Sequence, residues 1–492
     1  MIIRGLSVRL ACAVTLAAAA LAPTALAATR YVNANLATGA NDGTSWANAY
    51  RGAGALQTAM TASVSGDQVW VAAGTYLPST TGVRTAAFTM KTGVAVYGGF
   101  AGTEATLEQR NWQTNLTTLS GDLSGNDNGT VANMAENSYH VVVGTGVAVS
   151  PAGLMDGFTI VGGYANGATA SNQDKGGGII VANSGAPVMQ NCIIKNCRCT
   201  FGGGAGYVLA ATATFRDCQF LDNNGASFGG AFDTNGGVTR FERCLFRGNT
   251  AARAGGIEVF GSGNCTLTNC IFSGNSATGS NGGGAVWISS STVTARNCTI
   301  TGNSATQLAG GVRNTGGTST FGNCIIWNNT GPGGTVVANQ ISNSGGTTTA
   351  TYSVVQGTYA GTGNLATDPL FANAAGQDFR LQATSPAIDS GSNALVPAGT
   401  TTDYAGLARF VDVPAVVDAG AGTAPIVDRG AHEAPAPPVC VADLDASGVV
   451  DGTDLGLLLG SWGATGSADL DASGSIDGTD LGLLLGAWGP CA

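Results

Sequence analysis

Between residues 176 and 330 the chain repeats itself with a period of about 26 residues, and this fixed register constrains the fold more than any other feature of the sequence. Cys192, Cys218, Cys244, Cys270, Cys298 and Cys324 recur at that period, which is stretched by two only between Cys270 and Cys298. Two residues after each cysteine stands Ile194, Phe220, Phe246, Phe272, Ile300 or Ile326. Five residues after it stands Asn223, Asn249, Asn275, Asn303 or Asn329, with Cys197 in that slot of the first copy. Fourteen before it stands Gly178, Gly204, Gly230, Gly256, Gly284 or Gly310.

The copies are short for helical hairpins and lack a 3.6-residue period, whereas alternation of Cys with Phe or Ile suits a strand. With 77 glycines, 44% hydrophobic and only 10% charged residues, the chain is too apolar for disorder and too rich in glycine for long helices. One copy per coil of a parallel β-solenoid would stack equivalent residues about 4.8 Å apart. The Cys, Phe and Ile columns then become the core. Asn suits a left-handed turn residue and can hydrogen-bond along the stack, and glycine pairs such as Gly203 and Gly204 supply other corners. Stacked thiols read as packing, because a ladder does not converge on one point as a metal cluster requires.

Forms such as FRDCQFLDNN, FERCLFRGNT and LTNCIFSGNS, preceded by GGAF, AGGI and GGGAV, resemble the GGA(I,V) and FxxN repeats of polymorphic outer-membrane-type β-helix proteins. Upstream, YVNANLATGANDGTSWANAY, DQVWVAAGTY, VAVYGGF and MDGFTIVGG resemble the opening coils of right-handed β-helices of the pectate-lyase superfamily. Downstream, YSVVQG, DPLF, DFRLQATSPAIDSGSN and VDRGAHE resemble the end of secreted bacterial β-helix proteins of the choice-of-anchor type. These resemblances imply a mainly β protein, a right-handed single-stranded parallel β-helix over residues 28–435, with irregular coils capping both ends.

Residues 1–27, with Arg4 and Arg9 before an apolar run and a small-x-small end at Ala25 and Ala27, read as a signal peptide. The alternative is a membrane anchor, for which the run from Leu10 to Ala22 is short. The mature chain is therefore expected without a transmembrane span, secreted to the medium or cell surface, where disulfides persist. A net charge of −10, with lysine only at Lys91, Lys175 and Lys195, argues against nucleic acid as a partner.

After a proline-rich hinge at 436–439, residues 440–492 hold two copies of D-x-D-x-S-G-x-x-D-x-x-D, the first opening at Asp443 and the second at Asp469. Calcium takes six to eight hard oxygens, and this spacing supplies them from alternate side chains and one carbonyl. Two calcium ions are expected. The first would take Asp443, Asp445, Ser447, the Val449 carbonyl, Asp451 and Asp454. The second would take Asp469, Asp471, Ser473, the Ser475 carbonyl, Asp477 and Asp480. Gly448 and Gly474 permit the sharp turn. Asp instead of Glu at the twelfth place, and no helix-length segment before the first loop, resemble type I dockerins, a small α-helical EF-hand-like module. That resemblance implies one helix after each loop and a cohesin-like partner. At the recognition places ten and eleven, however, stand Gly452, Thr453, Gly478 and Thr479, which leaves a cell-envelope component or another domain as alternatives. Leu455, Leu458, Leu459 and Trp462, repeated as Leu481, Leu484, Leu485 and Trp488, predict an apolar stripe on each helix, buried against its twin. Cys440 and Cys491 bracket the module and read as a clasp disulfide, the alternative being two free thiols.

No catalytic constellation is recognisable. The NTD, DD, GHG and RIK elements of polygalacturonases are absent, and Asp174, Lys175, Lys195, Arg216 and Arg243 are scattered. The irregular coils before residue 170 leave room for an unfamiliar site. Asn191, Asp217, Arg243, Asn269, Asn297 and Asn323 precede the ladder cysteines and by strand alternation would form an outward polar stripe for an extended glycan, or simply a wetted surface. The sequence thus leads to a secreted calcium-binding β-helix acting in polysaccharide binding or surface attachment. A polysaccharide lyase or glycoside hydrolase and a structural envelope protein are the alternatives.

Overall fold

A computed structural model describes residues 27–128, 131–435, 440–445 and 447–491. Nearly all of the signal segment and the hinge lie outside the described residues. The repeat closes into a parallel β-solenoid in which each regular coil gives one strand to each of three sheets. In one coil these are Thr212–Arg216, Gln219–Leu221 and Phe232–Asn235. The next coil stacks one repeat later, pairing Thr212 with Val238, Phe220 with Phe246 and Phe232 with Ile257. Among the described residues the sheets hold 12, 10 and 9 strands, so the winding extends well beyond the regular repeats, from Thr29–Asn33 to Thr347–Thr351 in the first sheet.

The inner columns form the core. All six ladder cysteines are fully buried, and so are Ile194, Phe220, Phe246, Phe272, Ile300 and Ile326. Phe220, Phe246 and Phe272 stack face to face with centroids 4.6 and 4.4 Å apart. Because the parallel register superimposes identical side chains, the rings are forced into this stack, and its dispersion energy accumulates with coil number. The ladder thiols are unbridged and point to carbonyls, Cys218 Sγ donating to Arg216 O at 3.1 Å.

The asparagine column is a buried hydrogen-bonded ladder. Asn223, Asn249, Asn275 and Asn303 each donate Nδ2 to Oδ1 of the next at 2.8–3.0 Å, and Asn329 ends the series on Gln340 Oε1 at 2.9 Å. The left-handed residue of this corner is not the Asn but its predecessor: Asn196, Asp222, Gly248, Gly274, Gly302 or Asn328, at φ between 53° and 68°. That correction has a physical reason. With the tight bend one residue earlier, the Asn side chain is aimed inward, where only another amide side chain satisfies it. At Gly204 a Cβ would collide with the Gly230 carbonyl oxygen of the next coil, which excludes any larger residue.

Helix Ala55–Ala62 closes the first end, burying Ala55, Leu56, Ala59 and Met60 over the core. The other end departs from the expected irregular coils. After Val354–Val355 the chain from about 366 to 435 winds no further coil but runs back along the outside of the second sheet. Phe371, Phe379, Ala387 and Ala431 pack there on Ile271, Ile325 and Val354.

Candidate functional site

The tail module is built around two short helices, Gly452–Gly460 and Gly478–Gly486, packed on each other through Leu458 and Leu484. Cys440 and Cys491 form a disulfide, 5.7 Å between Cα atoms. Each helix begins with a capping box in which Asp451 or Asp477 accepts from the second helical amide, 2.7 Å to Thr453 N and 2.8 Å to Thr479 N.

Of the predicted ligands, the structure brings together Asp443, Asp445 and Asp454 in the first loop and Asp469, Asp471 and Asp480 in the second, each set with one carboxylate oxygen per residue within 4.8 Å of the others. Two ligands 2.4 Å from one calcium ion are separated by at most about that distance. Asp454 Oδ1 accepts from Leu444 N at 2.6 Å and Oδ2 from Asp451 N at 2.8 Å, and Asp480 repeats both bonds. Burial works against ionisation of Asp454, but these amides outweigh it and hold the carboxyl below its usual value. Asp451 and Asp477 are engaged as helix caps, and Ser447 and Ser473 turn their hydroxyls to the Val449 and Ser475 carbonyls, at 3.1 and 3.2 Å. The donor set fits a hard cation, because three carboxylates of the expected type already converge in each loop.

The predicted apolar stripe is only half buried. Leu458 and Leu484 are covered, but Leu459 and Leu485 are both 51% exposed, Trp462 48% and Trp488 51%. The helices are too short, and cross through too small a contact, to cover the rest. Leu457 and Leu483, on the opposite flank of the buried Leu458 and Leu484, are exposed as well.

On the solenoid the expected polar stripe is corrected. Asn191, Asp217, Arg243, Asn269, Asn297 and Asn323 all have φ of 49–53°, so they are corner residues and not strand residues, and strand alternation does not apply to them. Asn269, Asn297 and Asn323 are fully buried beneath the returning segment. Asn269 Nδ2 donates to Thr402 O at 2.7 Å, and Asn323 exchanges two bonds with the Ser392 backbone at 2.8 and 2.9 Å. Asn297, with its amide oxygen toward the guanidinium, accepts from Arg409 Nε at 2.7 Å. Arg409 is itself fully buried, 3.5 Å from Glu433 and bonded to the Asp428, Gly430 and Ala431 carbonyls.

The open polar plane lies instead on the first sheet. Its outward positions on successive coils are Thr212 and Thr214, Val238 and Arg240, Asn264 and Thr266, Thr292 and Thr294, Thr318 and Thr320, and Thr347 and Thr349, all exposed or half-buried. The signal for it was present in the sequence as T-x-T ahead of the ladder cysteines.

Of the scattered charges all but Lys195 are paired among the described residues: Lys175 with Asp174 at 2.6 Å, Arg243 with Asp217 at 2.6 Å and Arg216 with Glu242 at 3.4 Å. In the early coils, Asp122, Asp127 and Glu136 bring carboxylate oxygens within 4.8 Å of one another. Asp122 and Asp127 also line a cavity of about 300 Å³ with Asn196 and Arg198. Desolvation and the neighbouring Asp122 and Glu136 charges raise the Asp127 carboxyl above its usual range. Asp122 is occupied by its own turn, accepting from Gly125 N at 2.7 Å and Asp127 N at 3.0 Å. No described helix is long and apolar enough to cross a membrane.

No curated protein matches the chain in sequence. Among solved structures, that of pectate lyase Pel9A is similar at 15% identity and a TM-score of 0.44, over 83% of this chain and 97% of that one. Residues 229–355 match the family model described as a right handed beta helix region.

Proposed function

We propose that the chain is an anchored display solenoid: a calcium-folded, dockerin-like tail attaches it to a protein partner, and the β-helix offers a threonine-rich plane to an extended polysaccharide outside the cell. The observation that carries this reading is the duplicated open side of the tail. Leu459 and Trp462 recur as Leu485 and Trp488, all about half exposed, on two identical helices already packed on each other through Leu458 and Leu484. Exposed tryptophan beside leucine, outside the core of a small polar module, is the composition of a binding surface. Two calcium ions held by Asp443, Asp445 and Asp454 and by Asp469, Asp471 and Asp480 would fix the helix starts that present it. Cohesin-like modules and cell-envelope proteins are the partner classes this fits. On the solenoid, the threonine-rich plane suits a long chain of repeating units, because most coils present hydroxyls at a constant step, interrupted by Val238 and Arg240 on one coil.

The test is retention of the purified chain on immobilised cohesin modules, on cell envelopes and on insoluble polysaccharides, in calcium and in chelator. Calcium-dependent retention by a protein surface, lost in Trp462→Ala/Trp488→Ala, supports anchoring. Retention unchanged by that variant and by chelator sinks it.

A second reading is favoured by the Asp122, Asp127 and Glu136 cluster beside Arg198: a polysaccharide lyase or hydrolase in the early coils, with a cation on the carboxylates. Release of unsaturated or reducing products from acidic glycans, abolished by Asp127→Asn, would establish it.

A further inference from the structure

Asp389, Asp412 and Asp418 lie in the returning segment, far in sequence from the tail loops, with one carboxylate oxygen from each within 4.8 Å of the other two. Asp389 is fully buried, and its Oδ1 has no hydrogen-bond partner, while Oδ2 accepts from Val413 N at 3.3 Å. Among the described residues no lysine, arginine or histidine comes within ion-pair distance of any of the three. This sets them apart from the neighbouring acids: Glu433 has Arg409 and Asp403 has His432. A buried carboxylate oxygen without a donor is destabilising, and two further like charges beside it add to that cost.

The backbone holds the cluster in place. Asp389 has φ of 48°, its N donates to Asp428 Oδ1 at 2.7 Å, and its carbonyl accepts from Ala419 N at 2.9 Å and Gly420 N at 3.1 Å. The 412–418 loop therefore closes directly over the Asp389 side chain. An arrangement that orders three carboxylates, provides no counter-charge and leaves one oxygen unpartnered fits a bound cation. We propose that Asp389, Asp412 and Asp418 form a site for a hard divalent cation of the calcium type, which fastens the 412–418 loop to the returning segment. Such an ion takes contacts of about 2.3–2.6 Å from carboxylates, and water completes its shell on the exposed side formed by Asp412 and Asp418. The same loop contributes Ala415, Val416 and Val417 to one wall of a groove of about 690 Å³, so the ion also sets the shape of that groove.

The experiment is native mass spectrometry of the full mature chain in calcium, for the wild type and for Asp412→Asn/Asp418→Asn. Both replaced side chains are exposed, so the fold is retained, and coincident melting curves in the absence of calcium verify this. The expected result is one calcium fewer per chain in the variant, together with faster protease cleavage within 412–418. Because the count is a difference, it is read whether or not the tail loops bind. In an Asp454→Ala/Asp480→Ala background one calcium should remain, and the double Asn variant should remove it. Equal calcium counts in the wild type and the variant overturn the proposal.

Discussion

The Asn249 side chain donates to Asn275 Oδ1 across 2.9 Å, and the Asn249 backbone amide donates to the same oxygen at 3.1 Å. Asn275 Nδ2 in turn serves Phe246 O at 2.9 Å and Asn303 Oδ1 at 2.8 Å. Every polar atom of a fully buried side chain is thereby used, and each coil is tied to both neighbours. Asn275→Ala should orphan several of these groups at once and cost about 3 kcal/mol or more, at roughly 1–3 kcal/mol per buried group. The measurement is the urea midpoint. A loss below about 1 kcal/mol would show that water enters the ladder and substitutes.

The thiol ladder should be chemically silent. Burial pushes the Cys218, Cys244, Cys270, Cys298 and Cys324 thiols well above their ordinary range, so almost no thiolate forms at neutral pH. A thiol reagent should label none of them in the folded chain and all of them in denaturant. Phe246→Ala, by contrast, opens the aromatic stack and should cost about 3–5 kcal/mol.

Asp233 and Glu258 face each other in register on the third sheet, both fully buried, and Glu258 is paired with Arg253. Burial, and for Asp233 the adjacent Glu258, raises both carboxyls. A carboxyl raised on folding contributes stability that is present below its ordinary value near 4 and lost as pH rises through the folded value. The melting temperature of the solenoid should therefore fall as pH rises above about 4, and Asp233→Asn should flatten that slope. A variant with the wild-type slope would mean that Asp233 is ionised throughout.

Removing the Arg409 guanidinium leaves Glu433 buried without its counter-charge. Arg409→Ala should cost about 3–5 kcal/mol and release the segment from 366 to 435 before the coils unfold. Limited proteolysis is the readout: early cuts in 366–435 with the coils intact are expected, and simultaneous digestion of both would refute independent release.

Closing a span of 51 residues, the Cys440 to Cys491 bond should stabilise the tail by roughly 4 kcal/mol on chain-entropy grounds. Gly456, Gly460, Gly482 and Gly486 each weaken the helices by about 1 kcal/mol relative to Ala. Reduction should raise the calcium concentration needed to fold the tail, and chelation of the reduced chain should abolish its helical circular dichroism.

The coil period, the inner columns and the two acidic loops were legible in the sequence because each is set by local spacing that repeats. The corner residues were misplaced by one because Asn and Gly share a preference for left-handed backbone, and Gly248, Gly274 and Gly302 held the better claim. Burial of Asn269, Asn297 and Asn323 depends on a segment remote in the chain, around Ser392, Thr402 and Arg409, which no local alternation encodes. Only a partial trace of it was present: the outward position next to the cysteine is apolar at Leu245, Ile271 and Ile325, which the returning segment covers, but Thr299 between them is polar and Ile193 outside the covered coils is apolar. In the tail, helical spacing located Leu458 and Leu484 correctly but overstated the stripe, because two nine-residue helices offer contact over about one turn each.

The returning segment touches Asn269, Asn297 and Asn323 at Thr402, Arg409 and Ser392, one docking point on each of three consecutive coils. It is in effect a ruler laid along the solenoid. Inserting or deleting a coil within that span displaces one docking point from the others by about 4.8 Å, more than a hydrogen bond tolerates. Among the described residues the segment around Ser392, Thr402 and Arg409 makes no such bond to a coil before Arg243, so a coil inserted earlier should leave this docking intact.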